Sequence, residues 1–325
     1  MTRILITGGA GYVGSHCAKA LADSGYDCII FDNLSSGHRE FVQSGEFING
    51  DIRNAAALDA ILSAGRVDAV LHFAALASVA ESVAEPGAYY DVNVHGSNVL
   101  LNAMIRAGVK RIVFSSSCSI YGEPREVPIT ESSPRMPVNP YGMTKLVCER
   151  MMDDFDAPHG LKSVRLRYFN AAGADSAAGL GEDRAVETHL IPLALDALLG
   201  RWSFLSLYGT DYNTPDGTAI RDYIHVSDLA VAHVKALEHL LNGGATTALN
   251  LGTGKGASVR QVLESIRRIC GSEVPVRIEG RRPGDPPVLI ADATKAREML
   301  NWAPARSNLD RIVADAWRWR TNRFA

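Results

Sequence analysis

Apolar positions fall into two textures along the first half of the chain. Ile4–Ile6, Cys28–Phe31, Ala69–Phe73 and Ile112–Ser115 are short, largely apolar runs, as expected of parallel strands buried on both faces. Between them, Tyr12–Ser24, Ala55–Ser63 and Asp91–Ala107 repeat their apolar residues at helical spacing, which predicts amphipathic helices. Strand and helix alternate after a glycine turn, the pattern of an α/β doubly wound parallel sheet of the Rossmann type. A helix is expected to start near Pro140 and a last strand at Ser163–Tyr168. Together these segments define a first domain over residues 1–170.

The texture changes after Asn170. Ala171–Glu187 is rich in Gly, Ala and Asp, and Gly209–Gly217 is a second polar stretch; long loops in compact proteins are more often functional than idle. Helices are expected at Leu190–Leu199, Asp228–Leu241 and Val259–Cys270, with strands at Ala248–Leu251 and Val276–Ile278. They form a smaller mixed α/β domain over residues 171–325, mainly for substrate, with some later segments returning to the first domain. No internal repeat or low-complexity tract is present.

Composition narrows the function class. Charged residues make up 21% and hydrophobic residues 46% of the 325, an ordinary balance for a globular enzyme. With a net charge of -3 and no basic run, nucleic acid is not an expected partner. No apolar stretch approaches the ~20 residues that span a bilayer, so a membrane is not expected either. Cys17, Cys28, Cys118, Cys148 and Cys270 show neither Cys-x-x-Cys pairing nor zinc spacing, so free thiols and no metal are expected. Such thiols fit a reducing compartment, and the chain opens directly into a strand without a leader, so the cytoplasm is the expected location.

Thr7–Gly14 joins the first strand to the first helix, with Gly8, Gly11 and Gly14 in a G-x-x-G-x-x-G spacing. Missing side chains let a backbone turn tightly and approach a pyrophosphate on the helix N-terminus. Asp32 ends the second strand 18 residues after Gly14, where a carboxylate accepts from an adenosine ribose hydroxyl and repels a 2′-phosphate. NAD is therefore expected rather than NADP, with Arg39 close enough in sequence to qualify that preference.

Tyr141 and Lys145 lie four residues apart after Pro140, a spacing that places both on one helical face. Free tyrosine, with pKa ~10, is only about 0.1% phenolate at pH 7. A nearby ammonium and a positive nicotinamide ring both favour the phenolate, which makes Tyr141 a candidate general base. Lys145 also suits the nicotinamide ribose. Upstream, Ser115–Ser117 places hydroxyls at the carboxyl end of the sheet, where ligands of such sheets bind. A serine there can relay the substrate proton.

These residues resemble the extended short-chain dehydrogenase/reductase family and, within it, the UDP-glucose 4-epimerases (UDP-galactose 4-epimerases), over essentially the whole chain. The resemblance rests on Thr7–His16, Phe31–Leu34, Gly50–Ile52, His72–Ala75, Phe114–Ser117, Tyr121–Gly122, Pro140–Lys145, Arg167–Asn170, Arg221–Val226, Asn250–Gly254 and Arg281–Asp285. It implies that Ser117, Tyr141 and Lys145 are catalytic. It implies that Tyr12, Val13, Asn33, Ser36, Ser115 and Tyr168 join the glycines and Asp32 around NAD, with Asp51 and Ile52 flanking adenine. Phe73, Ala74 and Asn93 would line the NAD channel. Asn170, His189, Leu190, Tyr208, Arg221, Tyr223, Arg282, Asp285 and Leu289 would hold the UDP-sugar. Two arginines can neutralise a diphosphate by charge-assisted hydrogen bonds.

The implied reaction is an isomerisation: transient oxidation of UDP-glucose or UDP-galactose at carbon 4, with Tyr141 as base and return of hydride to the other face. Three positions depart from the family pattern. Ala77 stands where a lysine usually approaches the cofactor, and His189 replaces a frequent asparagine. Leu289 replaces a bulky tyrosine on the sugar-pocket wall, so UDP-N-acetylglucosamine and UDP-pentoses (xylose/arabinose) are alternative substrates. A sugar-nucleotide dehydratase would need acidic residues beside Ser117, where Cys118 and Ser119 stand. A non-catalytic NAD-binding scaffold or sensor is the alternative of a different class. The helices Asp91–Ala107 and Tyr141–Asp156 are expected to pair with their copies in a homodimer.

Overall fold

The computed structural model describes residues 1–64, 66–282 and 284–324; Pro283 of the Arg281–Asp285 motif lies outside them. The chain begins β1 (Arg3–Thr7), α1 (Tyr12–Asp23), β2 (Asp27–Asp32), β3 (Glu46–Asn49), α2 (Ala55–Ala64) and β4 (Ala69–His72). Short helices α3 (Val79–Ala84) and α4 (Pro86–Tyr89) lead through a π turn (Tyr90–His95) into α5 (Gly96–Arg106). Then come β5 (Arg111–Ser117), α6 (Pro140–His159), β6 (Lys162–Tyr168), β7 (Asn170–Ala172), α7 (Leu190–Leu198) and β8 (Leu205–Tyr208). Next are β9 (Ile220–Arg221), β10 (Tyr223–His225), α8 (Val226–Leu241), β11 (Thr247–Leu251), β12 (Ala257–Ser258) and α9 (Val259–Cys270). The last elements are β13 (Val276–Glu279), β14 (Val288–Leu289), α10 (Thr294–Leu300) and α11 (Leu309–Phe324).

Seven strands form one sheet in the order β11-β6-β5-β4-β1-β2-β3, every pairing parallel. β1 shows why its run is apolar throughout: Ile4 and Ile6 enter one hydrophobic core and Leu5 the other. α1 and α8 cover the first face, and α2, α5 and α6 the second. Chain direction across the sheet reverses between β1 and β4, which opens a crevice at their carboxyl ends.

Two expectations are corrected. Strand β11, expected at Ala248–Leu251 in the smaller domain, extends the main sheet by pairing with β6, and α8 packs on that sheet too. A short apolar strand carries no signal of which sheet it joins. The helix expected at Asp91–Ala107 begins instead as the π turn, which turns Asn93 inward to 2% exposure. β3, β7, β8, β9, β10, β12, β14, α3, α4, α10 and α11 had no counterpart in the sequence pattern.

The remaining core is small and helical. Ile191 and Leu195 of α7, Val262 and Ile266 of α9, and Ile312 and Val313 of α11 pack together. The capping box of Ser258 and Gln261 fixes the start of α9. Among the described residues, no helix is long and apolar enough to cross a membrane.

Candidate active site

The glycine turn divides its three positions between packing and access. Gly8 has φ +72, and a Cβ there would lie 2.7 Å from Ala74 Cα. A Cβ at Gly14 would strike the Gly8 carbonyl oxygen and reach 2.9 Å from Gly9 Cα. Around Gly11, by contrast, the nearest atom to such a Cβ among the described residues, apart from its chain neighbours, is the Gly8 oxygen at 3.4 Å. The space over the N-terminus of α1 is thus open, and the first turn of that helix holds no acidic residue. Open space, unshielded helix N–H groups and a positive dipole end suit a pyrophosphate.

Asp32, only 8% exposed, accepts from Ala10 N at 2.9 Å and Leu34 N at 2.8 Å. Burial raises its carboxyl, and the two backbone bonds oppose that shift. Its remaining lone pairs leave room for a ribose hydroxyl. Arg39 is stacked 4.6 Å over the Phe47 ring instead of pairing with Asp32. Asn33 donates to Asp51 at 3.0 Å, and the Arg53 guanidinium holds Asp51 far below the usual carboxylate range. Ile52 is buried, whereas Ser36 and Ala77 are exposed. Asn93 grips the Leu76 backbone through both amide atoms, at 2.8 and 3.1 Å, so it shapes the loop after β4. Phe73 packs on His233 at 4.8 Å between ring centres.

At the carboxyl end of β5 the serines divide by the strand's alternation. Ser115 hydrogen-bonds Tyr168, while Ser116 turns away to the Glu149 carboxylate at 2.6 Å. Ser117 accepts from Ser119 N at 3.1 Å, donates to Ser119 Oγ at 3.2 Å, and lies close enough to the Tyr141 phenol to oppose the effect of its burial. Tyr141 reaches this loop because α6 starts tightly against it. Asn139 caps the helix, accepting from Gly142 N at 2.8 Å, and Pro140 fills its first turn. A Cβ at Gly142 would come 2.9 Å from the Ser119 carbonyl carbon.

Lys145, 3% exposed, donates to the Ser115 carbonyl at 2.8 Å and lies 5.9 Å from the Tyr141 ring centre. Burial pushes its ammonium down to about 8, against the opposing charges of Cys148 and Glu149. Burial also raises the Tyr141 phenol, with Ser117 working the other way. The Lys145 ammonium donates to a backbone carbonyl and is not among the groups that move the Tyr141 phenol here. A phenolate here calls for a further positive charge, which an oxidised nicotinamide carries.

The residues expected at the sugar nucleotide are spread over β7, the start of α7, β8, β9, β10, β14 and the connection before β14. Arg221 pairs with Asp285, and Arg282 stacks 3.9 Å over the Tyr208 ring. Asn170 and Tyr223 sit opposite each other in β7 and β10, and burial pushes the Tyr223 phenol up to about 12. Leu289 pairs with Arg221 in β14 and packs with Ile120, Phe169 and Ala291. Leu190 opens α7 and His189 precedes it as N-cap. His189 Nδ1 lies 2.6 Å from Glu182 Oε1, whose charge raises the imidazole. Burial works to raise Glu182, yet His189 and Arg184 outweigh it and hold that carboxyl low.

Glu182, Arg184 and Glu149 carry no motif, and the sequence pattern did not single them out. Only the four-residue step from Lys145 to Glu149 was available as a signal. The Glu182 and Arg184 contacts depend on how the Ala171–Glu187 loop folds back.

Residues 4–252 match the family described as "NAD dependent epimerase/dehydratase family". The chain is 51% identical to a UDP-glucose 4-epimerase of Azospirillum brasilense over 318 residues, 98% of this chain and 91% of that one. Its fold is similar to the crystal structure of a Brucella ovis UDP-glucose 4-epimerase in complex with NAD, with TM-score 0.96, 49% identity and 98% of each chain covered. It is equally similar in fold, TM-score 0.96, to a Stenotrophomonas maltophila UDP-glucose 4-epimerase with bound NAD and formylated UDP-arabinopyranose, at 39% identity and 100% coverage of both.

Proposed function

The chain belongs to the NAD dependent epimerase/dehydratase family, and on that premise we propose that it is an NAD-dependent isomerase interconverting UDP-glucose and UDP-galactose at carbon 4. The observation that carries this reading is the convergence of Ser117, Tyr141 and Lys145 at the carboxyl end of β5, beside a glycine turn open at Gly11. NAD, when bound, would supply a reversible hydride acceptor for carbon 4 of the sugar. The residues of the site fit that group: the open N-terminus of α1 receives the pyrophosphate and Asp32 the adenosine ribose.

Tyr141 takes the proton of the sugar 4-hydroxyl and gives it back, with Ser117 sharing the same proton. Lys145 supplies positive charge behind the phenol and reaches the nicotinamide ribose. Arg221 and Arg282 bind the diphosphate; with five N–H groups each, they do so without releasing Asp285 or Tyr208. Remote binding holds the 4-keto sugar while its ring turns over between the two hydride transfers. Residues 1–170 with α8 and β11 serve the cofactor, and the remainder mainly the sugar nucleotide. α5 and α6 lie side by side and leave Val99, Val147, Met151 and Phe155 partly exposed; this face pairs with a second copy in a cytoplasmic homodimer.

The test is conversion of UDP-galactose to UDP-glucose by purified protein without added NAD. Turnover supports an epimerase carrying resident cofactor. NAD binding without turnover supports the scaffold reading, and a stable 4-keto-6-deoxy product supports the dehydratase. A second reading rests on Leu289: an aliphatic side chain on the pocket wall leaves room for an N-acetyl group, so UDP-N-acetylglucosamine is also a substrate.

A further inference from the structure

Behind the catalytic serines lies a buried ionic cluster that the reaction as described does not use. Glu149 is fully buried, and Arg167 meets it with two bonds, Nε to Oε1 at 2.9 Å and Nη2 to Oε2 at 2.6 Å. Ser116 donates a third at 2.6 Å. Arg167 is tied on its far side to Tyr121, at 2.9 Å, and Tyr121 to Asn250 at 2.7 Å. A well-packed apolar residue in place of such a pair is often as stable or more stable. Stability therefore gives no reason for a carboxylate in this place.

Its position gives one. Glu149 follows Lys145 by four residues and shares its face of α6. Consecutive residues of β5 hold the two side chains: the Ser115 carbonyl takes the Lys145 ammonium, and the Ser116 hydroxyl takes the Glu149 carboxylate. The strand end that carries Ser117 is thus pinned to the helix that carries Tyr141. We propose that Glu149 is a positioning residue of the active site, keeping Lys145 charged and locking the Ser115–Ser117 strand end against α6.

The charges facing Lys145 agree with that role. From α6 they are Tyr141, Cys148 and Glu149; from β4, His72; and behind Glu149 stand Arg167 of β6 and the half-exposed Arg135, 3.8 Å from the carboxylate. Burial keeps His72 neutral at ordinary pH, with a value near 3, so it adds no charge. Burial likewise raises the Cys148 thiol. Glu149 is then the one carboxylate among these groups, and it acts to raise the ammonium.

This inference rests on the epimerase reading, and its test separates the two. The carbon-13 shift of the Lys145 Cε is followed with pH in the purified protein, with its signal assigned by loss in Lys145→Arg. Alongside it, the pH profile of kcat is measured on UDP-galactose. In Glu149→Gln both the Lys145 midpoint and the alkaline limb of kcat are expected to fall together by about one pH unit, the size of a lost charge at this range. The double variant Glu149→Gln/Arg167→Gln leaves no unpaired buried charge; because it removes a positive charge along with the negative one, and Arg167 stands behind Glu149, it is expected to show a smaller fall in the same direction if the single variant does not fold. A folded variant with an unchanged Lys145 midpoint overturns the proposal. Wild-type protein that converts no UDP-sugar overturns the epimerase reading instead, and the shift measurement still decides the charge claim.

Discussion

Substituting two glycines of the same turn by alanine should produce opposite failures. At Gly14 a methyl group would collide with the Gly8 carbonyl oxygen and sit 2.9 Å from Gly9 Cα. Both neighbours are backbone in a turn that Gly8 holds by its own bond to the Phe31 carbonyl at 2.8 Å. Neither can yield without moving β1 or α1, so Gly14→Ala is an overpacking change that costs about 1–3 kcal/mol of stability. At Gly11 the backbone already has φ -80 and ψ 175, which alanine adopts freely, and the nearest atom would be 3.4 Å away. Gly11→Ala should leave the melting temperature within about 2 °C of wild type. Its methyl group occupies the open space assigned to the pyrophosphate, and displacing that contact by about 1.4–2.8 kcal/mol weakens NAD binding about ten- to a hundredfold. The assay is paired: thermal melting of each variant, and NAD bound per chain after purification and by titration. Gly11→Ala with wild-type NAD affinity would refute the assignment of that space.

Tyr141→Phe removes the proton acceptor but none of the packing, and kcat should fall about 10²–10⁴-fold with NAD content unchanged; a smaller loss would point to another base. Leu289→Tyr should abolish turnover of UDP-N-acetylglucosamine while sparing UDP-galactose, as a substrate panel on wild type and variant would show. Acid should destabilise the fold below the range of ordinary histidine. His16, His72 and His233 are buried and hold values near 4, 3 and 4, chiefly through desolvation. Below pH 6.5 the unfolded chain binds protons that the folded chain refuses, so each contributes a loss of about 1.4 kcal/mol per pH unit down to its own value. His189, raised by Glu182, works in the opposite direction. A melting temperature that stays flat from pH 6.5 to 4.5 would contradict this.

Most of the main sheet was legible because β1, β2, β4 and the first part of β5 are buried on both faces and carry unbroken apolar runs. β3 was not: of Glu46, Phe47, Ile48 and Asn49, the outer two are exposed and the inner two half-buried, and four residues are too few for a period. α11 is decided by distant contacts, Trp319 against Phe41 and Arg320 on Asp196 at 2.5 and 2.6 Å, which no local pattern reveals. At the candidate site, spacing singled out Tyr141, Lys145 and Asp32. It gave no sign that the Lys145 ammonium lies on the Ser115 carbonyl, or that both Asp32 oxygens already hold backbone N–H groups. Hydrogen-bond direction is a property of the folded backbone and leaves no trace in residue type.

In the proposed reaction one hydride leaves carbon 4 and returns to the same carbon. That return is tested most directly with UDP-galactose deuterated at carbon 4, converted by the purified protein in ordinary water without added NAD. The expected product is UDP-glucose that retains the deuterium at carbon 4, with no uptake of solvent hydrogen there. Loss of the label to water, or label accumulating in free reduced cofactor beside a keto sugar, would contradict it.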